Sequence, residues 1–248
     1  MQTQVLIIGG GATGTGLARD LALRGIHCIL AEKRDLNAGA SGANHGLLHS
    51  GGRYVCSDPD SAAQCRSENA LLKKLAPQCI KDTGGLFIAV EGDGEEYPAL
   101  FPHLCAKSGI SAQPLSRRKA MEMEPLLTGR LTAVYEVDDA TIDPFRLSLE
   151  NMNHASALGA VFLRHCEITE FESNGGTVRR VQLVNTLSRK KLTVEAEQVV
   201  NAAGAWAGKV VELAGISIPL VSSAGTLPVV GSSLSSRVIN RPRFPSDG

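Results

Sequence analysis

The sequence carries no excess charge and no long apolar run, and each absence excludes a class of protein. Its 248 residues hold 25 basic and 25 acidic side chains, and they include no Lys/Arg run, so nothing favours a nucleic-acid partner. No stretch approaches the roughly 18 consecutive apolar residues of a transmembrane helix. The first residues lack the positive charge that opens a secretory signal. We therefore expect neither a membrane span nor a signal peptide.

Cysteine spacing is equally plain. The six cysteines form no CxxC pair and no zinc-ligand spacing, which favours free thiols in a reducing cytoplasm and no metal site. The sequence has no internal repeat. A chain of 248 residues that is 43% hydrophobic can bury a substantial core as one large domain or two small ones.

The amino-terminal residues have the pattern of a βαβ unit. An apolar run at 5–8 stops at glycines, apolar residues at helical spacing follow, and a second apolar run ends on Glu32. The motif Gly9-x-Gly11-x-x-Gly14 lies between the predicted strand and helix. Glycines there permit a tight turn, the approach of a pyrophosphate and close helix–strand packing, while an acid about 20 residues on can bind a ribose diol. The pattern predicts a Rossmann-like dinucleotide-binding site.

Periodicity in the rest of the chain predicts an α/β fold with a β-rich middle. We predict helices at 58–76, 95–108, 117–123 and 144–158, and strands at 84–92 and 133–137. Residues 160–200 are β-rich, with a hairpin signal at Asn174-Gly175-Gly176. They lead into a second strand-to-helix Gly turn, "NAAGAW", and a helix that closes at Gly215. Beyond Leu220 the sequence is rich in Ser, Pro and Gly and keeps no period.

The Gly-rich motif alone does not distinguish NAD from FAD, but the rest of the chain does. An NAD fold continues as repeated βα units, whereas here the second strand leads into a long Gly/Ser/His loop. A β-rich meander then precedes the second Gly turn. Two widely separated Gly turns suit a flavin dinucleotide, which has to be lined along its whole length. We therefore predict FAD.

The long loop, "SGANHGLLHSGGRY" at 41–54, has neither the period of a helix nor that of a strand. Loops of this length in compact domains are usually functional or disordered. His45 and His49 are spaced like a pair of metal ligands, but that spacing needs a helix, which Gly46 disfavours. The alternative is that both histidines bond loop backbone groups.

Several stretches together resemble one family. They are "IGGGATGTGLARDLALRG" (8–25), "GASGANHGLLHSGGRY" (39–54), "ATIDPFRL" (140–147) and "VVNAAGAWA" (199–207). They resemble the FAD-dependent glycerol-3-phosphate dehydrogenases of the anaerobic type, specifically their catalytic chain, within the D-amino-acid-oxidase-like flavoproteins. The resemblance extends from residue 4 to about residue 220. It implies a Rossmann-like FAD-binding domain with a mixed, β-rich substrate domain.

The resemblance also implies roles for single residues. The loop glycines would let the backbone approach the flat flavin ring. Arg53 and Tyr54 would hold the substrate, because a guanidinium forks onto a phosphate or a carboxylate. His49 would take the substrate's proton. The residues implied to bind FAD are Gly9, Gly11, Gly14, Glu32, Lys33, Ser41, Gly42, Asn44, His45, Gly46, Ile168 and Gly204.

The implied activity is the oxidation of sn-glycerol 3-phosphate to dihydroxyacetone phosphate. Electrons would pass to partner subunits and a quinone, and those partners would hold the protein on the cytoplasmic face of the inner membrane. Two alternatives stay open: a related FAD-dependent enzyme that oxidises a 2-hydroxy acid or an amine, and an inactive flavin-binding fragment. Family members are considerably longer, so we expect a truncated chain with an incomplete substrate domain.

We assign 1–83 with 140–215 to the FAD-binding domain and 84–139 with 216–248 to a partial substrate domain. Asp138, Asp139 and Asp143 are expected in turn and N-cap roles. Trp206 is expected to pack in the core behind the second Gly turn.

Overall fold

The computed structural model describes residues 1–93, 96–221, 223, 225–229, 231 and 234–241. The strands are β1 (Gln2–Ile8), β2 (Cys28–Glu32), β3 (Leu47–Leu48), β4 (Ile80–Lys81), β5 (Gly85–Val90), β6 (Gln113–Pro114), β7 (Leu131–Val137), β8 (Ala140–Ile142), β9 (Val161–Arg164), β10 (Cys166–Asn174), β11 (Thr177–Asn185), β12 (Lys191–Asn201) and β13 (Val238–Asn240). The helices are α1 (Ala12–Leu23), α2 (Pro59–Leu75), α3 (Glu96–Lys107), α4 (Arg117–Met123), α5 (Pro144–Ala157) and α6 (Ala207–Glu212).

The chain divides into two compact units. The first comprises Met1–His45 and Pro144–Leu227, and the second comprises Gly46–Asp143 and Pro228–Gly248. The crossings at 45–46 and 143–144 both lie within stretches that resemble the flavoprotein family. The domain assignment made from the sequence, with its own bounds, stays a prediction.

The first unit is built on a six-stranded sheet with the order β10-β11-β12-β1-β2-β9. Strands β12, β1, β2 and β9 are parallel, and β10, β11 and β12 form an antiparallel meander. Because β12 and β1 are parallel neighbours, Ile8 and Asn201 pair at the same edge of the sheet. This arrangement confirms the Rossmann-like α/β fold that the βαβ pattern predicts.

Both faces of β1 are buried, which explains its continuous apolar run. Val5 and Ile7 pack with α1 and α5 on one face of the sheet. Leu6 and Ile8 pack on the other face with residues of the meander, including Val181. A strand covered on both sides cannot alternate apolar and polar residues, so the "VLII" run follows from its place in the sheet.

The second unit contains two smaller sheets. One has the order β13-β5-β7-β6, with β13 parallel to β5 and the other pairs antiparallel. The other is a three-stranded sheet with the order β3-β8-β4. The core of the unit includes the stacked rings of Phe87 and Phe101, whose centroids are 4.6 Å apart. The loop at 41–54 thus contains a two-residue strand, β3, that its lack of period does not predict.

Most predicted elements are confirmed, with small shifts at their ends. Asp58 caps α2 by accepting a hydrogen bond from the Ser61 N–H, and Pro59 occupies the first helical turn as expected. The hairpin glycines Gly175 and Gly176 both have positive φ, 59° and 78°, between β10 and β11. In the part of the chain that the structure describes, no helix is both long and apolar enough to cross a membrane.

Candidate cofactor and substrate sites

The two Gly-rich turns lie side by side at the carboxyl edge of the parallel sheet. The Ala202 N–H, just past β12, donates to the Ile8 carbonyl at 2.8 Å. Gly9 has φ +114°, and a Cβ on it would lie 2.5 Å from the Ala202 carbonyl oxygen. Only a glycine fits between the turns, so the two distant stretches form one surface.

Close packing of α1 on β1 depends on Gly14. A Cβ there would lie 1.9 Å from the Gly9 carbonyl oxygen, a distance that no side chain can occupy. The helix therefore begins directly beneath the turn. Its first turn contains no acidic residue, so the positive end of its dipole is available to an anion.

Ser41 reaches the start of α1 from the loop that follows β2. Its Oγ accepts a hydrogen bond from the Ala12 N–H at 2.9 Å. A Cβ on Gly11 would lie 2.9 Å from the same Oγ, so the motif's second glycine leaves room for Ser41. The hydroxyl hydrogen of Ser41 can still be donated to a phosphate oxygen.

Glu32 braces the Gly-rich turn. Its carboxylate accepts hydrogen bonds from the Gly10 N–H at 2.8 Å and from the Arg34 N–H at 2.7 Å. A carboxylate has about four acceptor positions, so capacity remains for the hydroxyls of a ribose. The structure thus gives Glu32 a bracing contact in addition to the ribose contact predicted for it.

A cavity of about 330 Å³ opens between the two turns, at the lower end of the range for small-molecule sites. Its walls are mainly apolar, with a few polar groups at the rim, as expected for a cofactor pocket. The residues predicted to bind FAD that line it are Gly9, Gly11, Glu32, Lys33, Ser41, Ile168 and Gly204. Gly14 is not in the lining and acts beneath it through packing.

Two lining residues were missed by the sequence analysis. The guanidinium carbon of Arg34 lies 5.6 Å from the centre of the Trp206 ring, within cation–π range. Trp206 is 43% exposed, so its predicted place in the core is wrong. Its ring instead lies against Gly39, where a Cβ would come within 2.9 Å of it. The bend after β12 turns the ring toward the cavity, which apolar character alone does not reveal.

Asn37 is a further residue without a predicted role. It is buried and has φ +56°. Its N–H donates to the Gly10 carbonyl at 3.0 Å, and its side chain donates to the Pro144 carbonyl at 2.7 Å. A Cβ on Gly42 would lie 2.2 Å from the Asn37 carbonyl oxygen. Asn37 therefore ties the loop after β2 to the Gly-rich turn and to α5.

The remaining loop residues divide between the units. Asn44 and His45 belong to the first unit, and the Asn44 amide donates to the Ser41 carbonyl at 2.6 Å. Gly46 begins the second unit with φ +63°. The predicted contacts of these three residues with a flavin stay a prediction.

The second unit contains the predicted substrate residues in one short segment. The rings of His49 and Tyr54 are in edge contact, with centroids 6.5 Å apart. Gly51 has φ +97°, and a Cβ on it would lie 2.2 Å from the Ala62 carbonyl oxygen of α2. This turn leads into a single 3-10 turn, Gly52–Tyr54, on which Arg53 is exposed. The segment therefore brings an imidazole, a phenol and a guanidinium close together.

The acidic residues at 138 and 139 do not have the turn and N-cap roles expected. Asp138 forms an ion pair with Lys73 at 2.7 Å. Asp139 is only 1% exposed and accepts hydrogen bonds from the Ser50 N–H and the Asn240 side chain. Composition suggested turn residues, whereas their partners come from distant segments that sequence spacing cannot reveal.

Metal ligands and thiols complete the description. Among the described residues, no group of three or more His, Cys, Asp or Glu side chains could hold a metal ion. All six cysteines are free. Burial, with a smaller effect from Asp139, raises the pKa of the Cys105 thiol to about 12, so this thiol stays protonated and inert at neutral pH.

A parallel sheet with two adjoining Gly turns, a helix amino terminus and a cavity at its carboxyl edge defines a Rossmann-like dinucleotide-binding protein. The residues fit the long anionic group of such a cofactor, because the glycines leave room that any Cβ would fill. The family model described as FAD dependent oxidoreductase matches residues 4–247. The chain belongs to this family of FAD-dependent oxidoreductases.

Comparisons with individual proteins agree. One similar protein is the first chain, chain-lettered A in its name, of the anaerobic glycerol-3-phosphate dehydrogenase of Haemophilus influenzae. It is 44% identical over 247 residues, a match covering 100% of this chain and 44% of that protein. The chain therefore spans less than half the length of that relative.

Two solved structures are similar to this one. The glycerol-3-phosphate dehydrogenase from Bacillus halodurans, solved with FAD, matches with a TM-score of 0.64 and 28% identity over 85% of this chain and 36% of its own. Glycine oxidase from Geobacillus kaustophilus matches with a TM-score of 0.78 and 22% identity over 97% of this chain and 66% of its own. The latter likeness concerns the fold alone.

Proposed function

We propose that this protein takes part in the flavin-dependent oxidation of sn-glycerol 3-phosphate to dihydroxyacetone phosphate. The observation that carries the proposal is the 44% identity, over the entire chain, to a component of an anaerobic glycerol-3-phosphate dehydrogenase. The similarity to a glycerol-3-phosphate dehydrogenase solved with FAD supports it independently. The fold alone would not, because one fold hosts many reactions.

The cavity of the first unit would hold the cofactor. The pyrophosphate of FAD would lie at the start of α1, where Gly11 leaves room for the backbone N–H groups and the Ser41 hydroxyl to bind it. Glu32 would accept hydrogen bonds from the ribose, and Lys33, Ile168 and Gly204 would complete the pocket. Ion pairing of Lys33 with Glu167 at 3.0 Å supports this arrangement, because it satisfies the Lys33 charge at the rim.

The remaining FAD contacts would come from Gly42, Asn44, His45 and Gly46, which follow Ser41 along the chain. Gly46 supports this proposal, since its positive φ and lack of a side chain suit backbone that runs close to a flat ring. When bound, the flavin supplies the acceptor for the hydride that leaves the substrate.

The segment around the 3-10 turn of the second unit would bind the substrate and move its proton. Arg53 would bind the phosphate, since its guanidinium is exposed and makes no ion pair within the described residues. Tyr54 would donate a hydrogen bond to the same substrate. His49, in edge contact with Tyr54, would accept the hydroxyl proton.

Partner subunits would relay the electrons to a quinone and hold the protein at the cytoplasmic face of the inner membrane. The relative from Haemophilus influenzae is named as one subunit of its dehydrogenase, which supports the existence of such partners. The part of the chain that the structure describes offers no membrane-spanning helix of its own, which is compatible with attachment through partners.

Substrate-dependent dye reduction tests the proposal. The protein with bound FAD is given glycerol 3-phosphate, 2-hydroxyglutarate or glycine, together with an artificial electron acceptor. We expect turnover with glycerol 3-phosphate and little with the other two. Turnover with the hydroxy acid or with the amine would replace the proposed substrate with one of those classes, and no turnover with any of them would contradict the proposal.

A further inference from the structure

Both peptide groups that flank His49 are held by buried side chains from other segments. The Leu48 carbonyl, before the histidine, accepts a hydrogen bond from the Asn69 amide of α2 at 3.1 Å. The Ser50 N–H, after it, donates to the Asp139 carboxylate at 2.6 Å. Asn69 and Asp139 are only 2% and 1% exposed. His49 is therefore fixed from two sides by groups that lie far away in the sequence.

The contacts of Asn69 define its orientation. Its Nδ2 donates to the carbonyls of Leu48 and, at 3.2 Å, Asp138. Both partners are acceptors, so the amide nitrogen has to face them. Asn69 thereby joins the residue before His49 to the β7–β8 turn.

Asp139 is a buried carboxylate, which is costly unless its oxygens are satisfied. It receives the short, charge-assisted hydrogen bond from Ser50 and a second one from Asn240 at 2.9 Å. A Cβ on Gly85 would lie 2.6 Å from the Asp139 Cβ, so the carboxylate is wedged against β5. It can move only if the strands move with it.

We propose that Asn69 and Asp139 are positioning residues that fix the backbone of His49 and so aim its imidazole at the substrate. This inference rests on the proposed role of His49 as proton acceptor. The Arg53 turn is anchored separately, by Gly51 packed on the α2 backbone and by the buried Val55. Loss of either positioning residue therefore affects proton transfer more than substrate binding.

Asp139→Ala tests the inference. We expect the Ser50 amide to lose its protection from hydrogen exchange and the His49 ring resonances to shift. Turnover with glycerol 3-phosphate should fall roughly 10²-fold in kcat with a nearly unchanged KM, because a small misplacement of a catalytic group has effects of this size. Asp139→Asn keeps an oxygen that can accept from Ser50, and it should restore the Ser50 protection and most of the turnover.

Two further variants control for loss of stability and for failure to fold. Tyr135→Phe removes a hydrogen bond of 2.8 Å to the Pro98 carbonyl in the same unit, and it should leave Ser50 and His49 unchanged. If Asp139→Ala does not fold, Asn69→Leu removes the other contact with a side chain of similar size. It should shift the His49 resonances and lower kcat.

The inference is overturned if the His49 resonances and the Ser50 exchange rate in these variants match those of Tyr135→Phe. His49→Gln separates this failure from that of the proposed function. If His49→Gln keeps full turnover, His49 is not the proton acceptor, and the resonances and exchange rates then show whether the positioning of its backbone still holds.

Discussion

At the scale of single residues, the glycines of the first turn have unequal roles that the motif alone does not separate. Gly14 is required by packing, since a Cβ would lie 1.9 Å from the Gly9 carbonyl oxygen. Gly11 faces Ser41 and the space for an anion. Gly16, in the same helix, has no atom within 4 Å of its Cβ position. The three positions can therefore be tested separately.

We expect Gly14→Ala to lower the free energy of unfolding by more than about 3 kcal/mol, because the clash is with backbone that cannot move aside. Gly16→Ala is the matched control on α1 and should raise stability by about 0.5–1 kcal/mol, since alanine favours a helix over glycine. Urea unfolding of both variants measures the difference. Equal stabilities would contradict the observed helix–strand contact.

Arg53 provides the test of the proposed substrate site. Arg53→Ala should lower kcat/KM for glycerol 3-phosphate by roughly 10²-fold, as expected for the loss of about 1.5–3 kcal/mol from a charged hydrogen bond. FAD content should stay near normal. Arg118→Ala is the control, because Arg118 is also exposed and its i,i+4 partner is Glu122. If steady-state kinetics show equal effects for the two variants, Arg53 does not bind substrate.

At the scale of elements, the segment at 234–241 belongs to the second unit although its sequence keeps no period. It contributes β13, which pairs with β5. Glu124, just after α4, accepts hydrogen bonds from the Ser236 N–H at 3.0 Å and the Ser236 hydroxyl at 2.5 Å. The Arg237 guanidinium lies 3.7 Å away. One buried carboxylate thus secures the segment.

Burial by itself raises the pKa of Glu124, but the hydrogen bonds from Ser236 and the charge of Arg237 outweigh it, and the net pKa is lowered. A lowered folded-state pKa means that the carboxylate stabilises the fold above its unfolded value of 4.5. This stabilisation is lost as the pH falls through the folded value.

Glu124→Gln should therefore cost about 1.5–3 kcal/mol near pH 7, and the difference from the unaltered protein should shrink below pH 4.5. Glu122→Gln, on the exposed side of α4, is the control and should cost less than about 0.5 kcal/mol. Urea unfolding between about pH 3 and 8 measures both. A difference that does not depend on pH would contradict the role given to the charge.

Local patterns predicted most elements, because burial and capping imprint a period on the sequence. The βαβ unit, the hairpin at 174–176 and the start of α2 at Pro59 were all available this way. The two-residue β3 and the three-residue β13 were not, because strands so short leave no period to detect. Their pairing comes from partners far along the chain.

The candidate site was predictable only in part, for a related reason. Glycine spacing and an acid at a strand end predicted the cofactor turn, since both residue types have few other uses there. Arg34, Asn37 and Trp206 carry no such signal. Their roles arise from loop geometry after β2 and β12, which local sequence does not encode.

At the scale of the whole molecule, each unit would carry one part of the proposed chemistry. The first unit contains the parallel sheet, both Gly turns and the cavity, and the second contains His49, Arg53 and Tyr54. Every proposed catalytic step requires that the cavity of the first unit bind FAD through the turn at 9–14.

Titration of the protein with FAD, followed by flavin fluorescence, measures this binding when Gly11→Val is compared with the unaltered chain. Valine would displace Ser41, whose Oγ lies 2.9 Å from the Cβ position, and it would fill the place of the pyrophosphate. We predict one tightly bound FAD that NAD does not displace, and at least a roughly 10²-fold weaker Kd, about 2.7 kcal/mol, for a Gly11→Val variant that circular dichroism shows to be folded. Unchanged FAD affinity in that folded variant would contradict the proposed cofactor site.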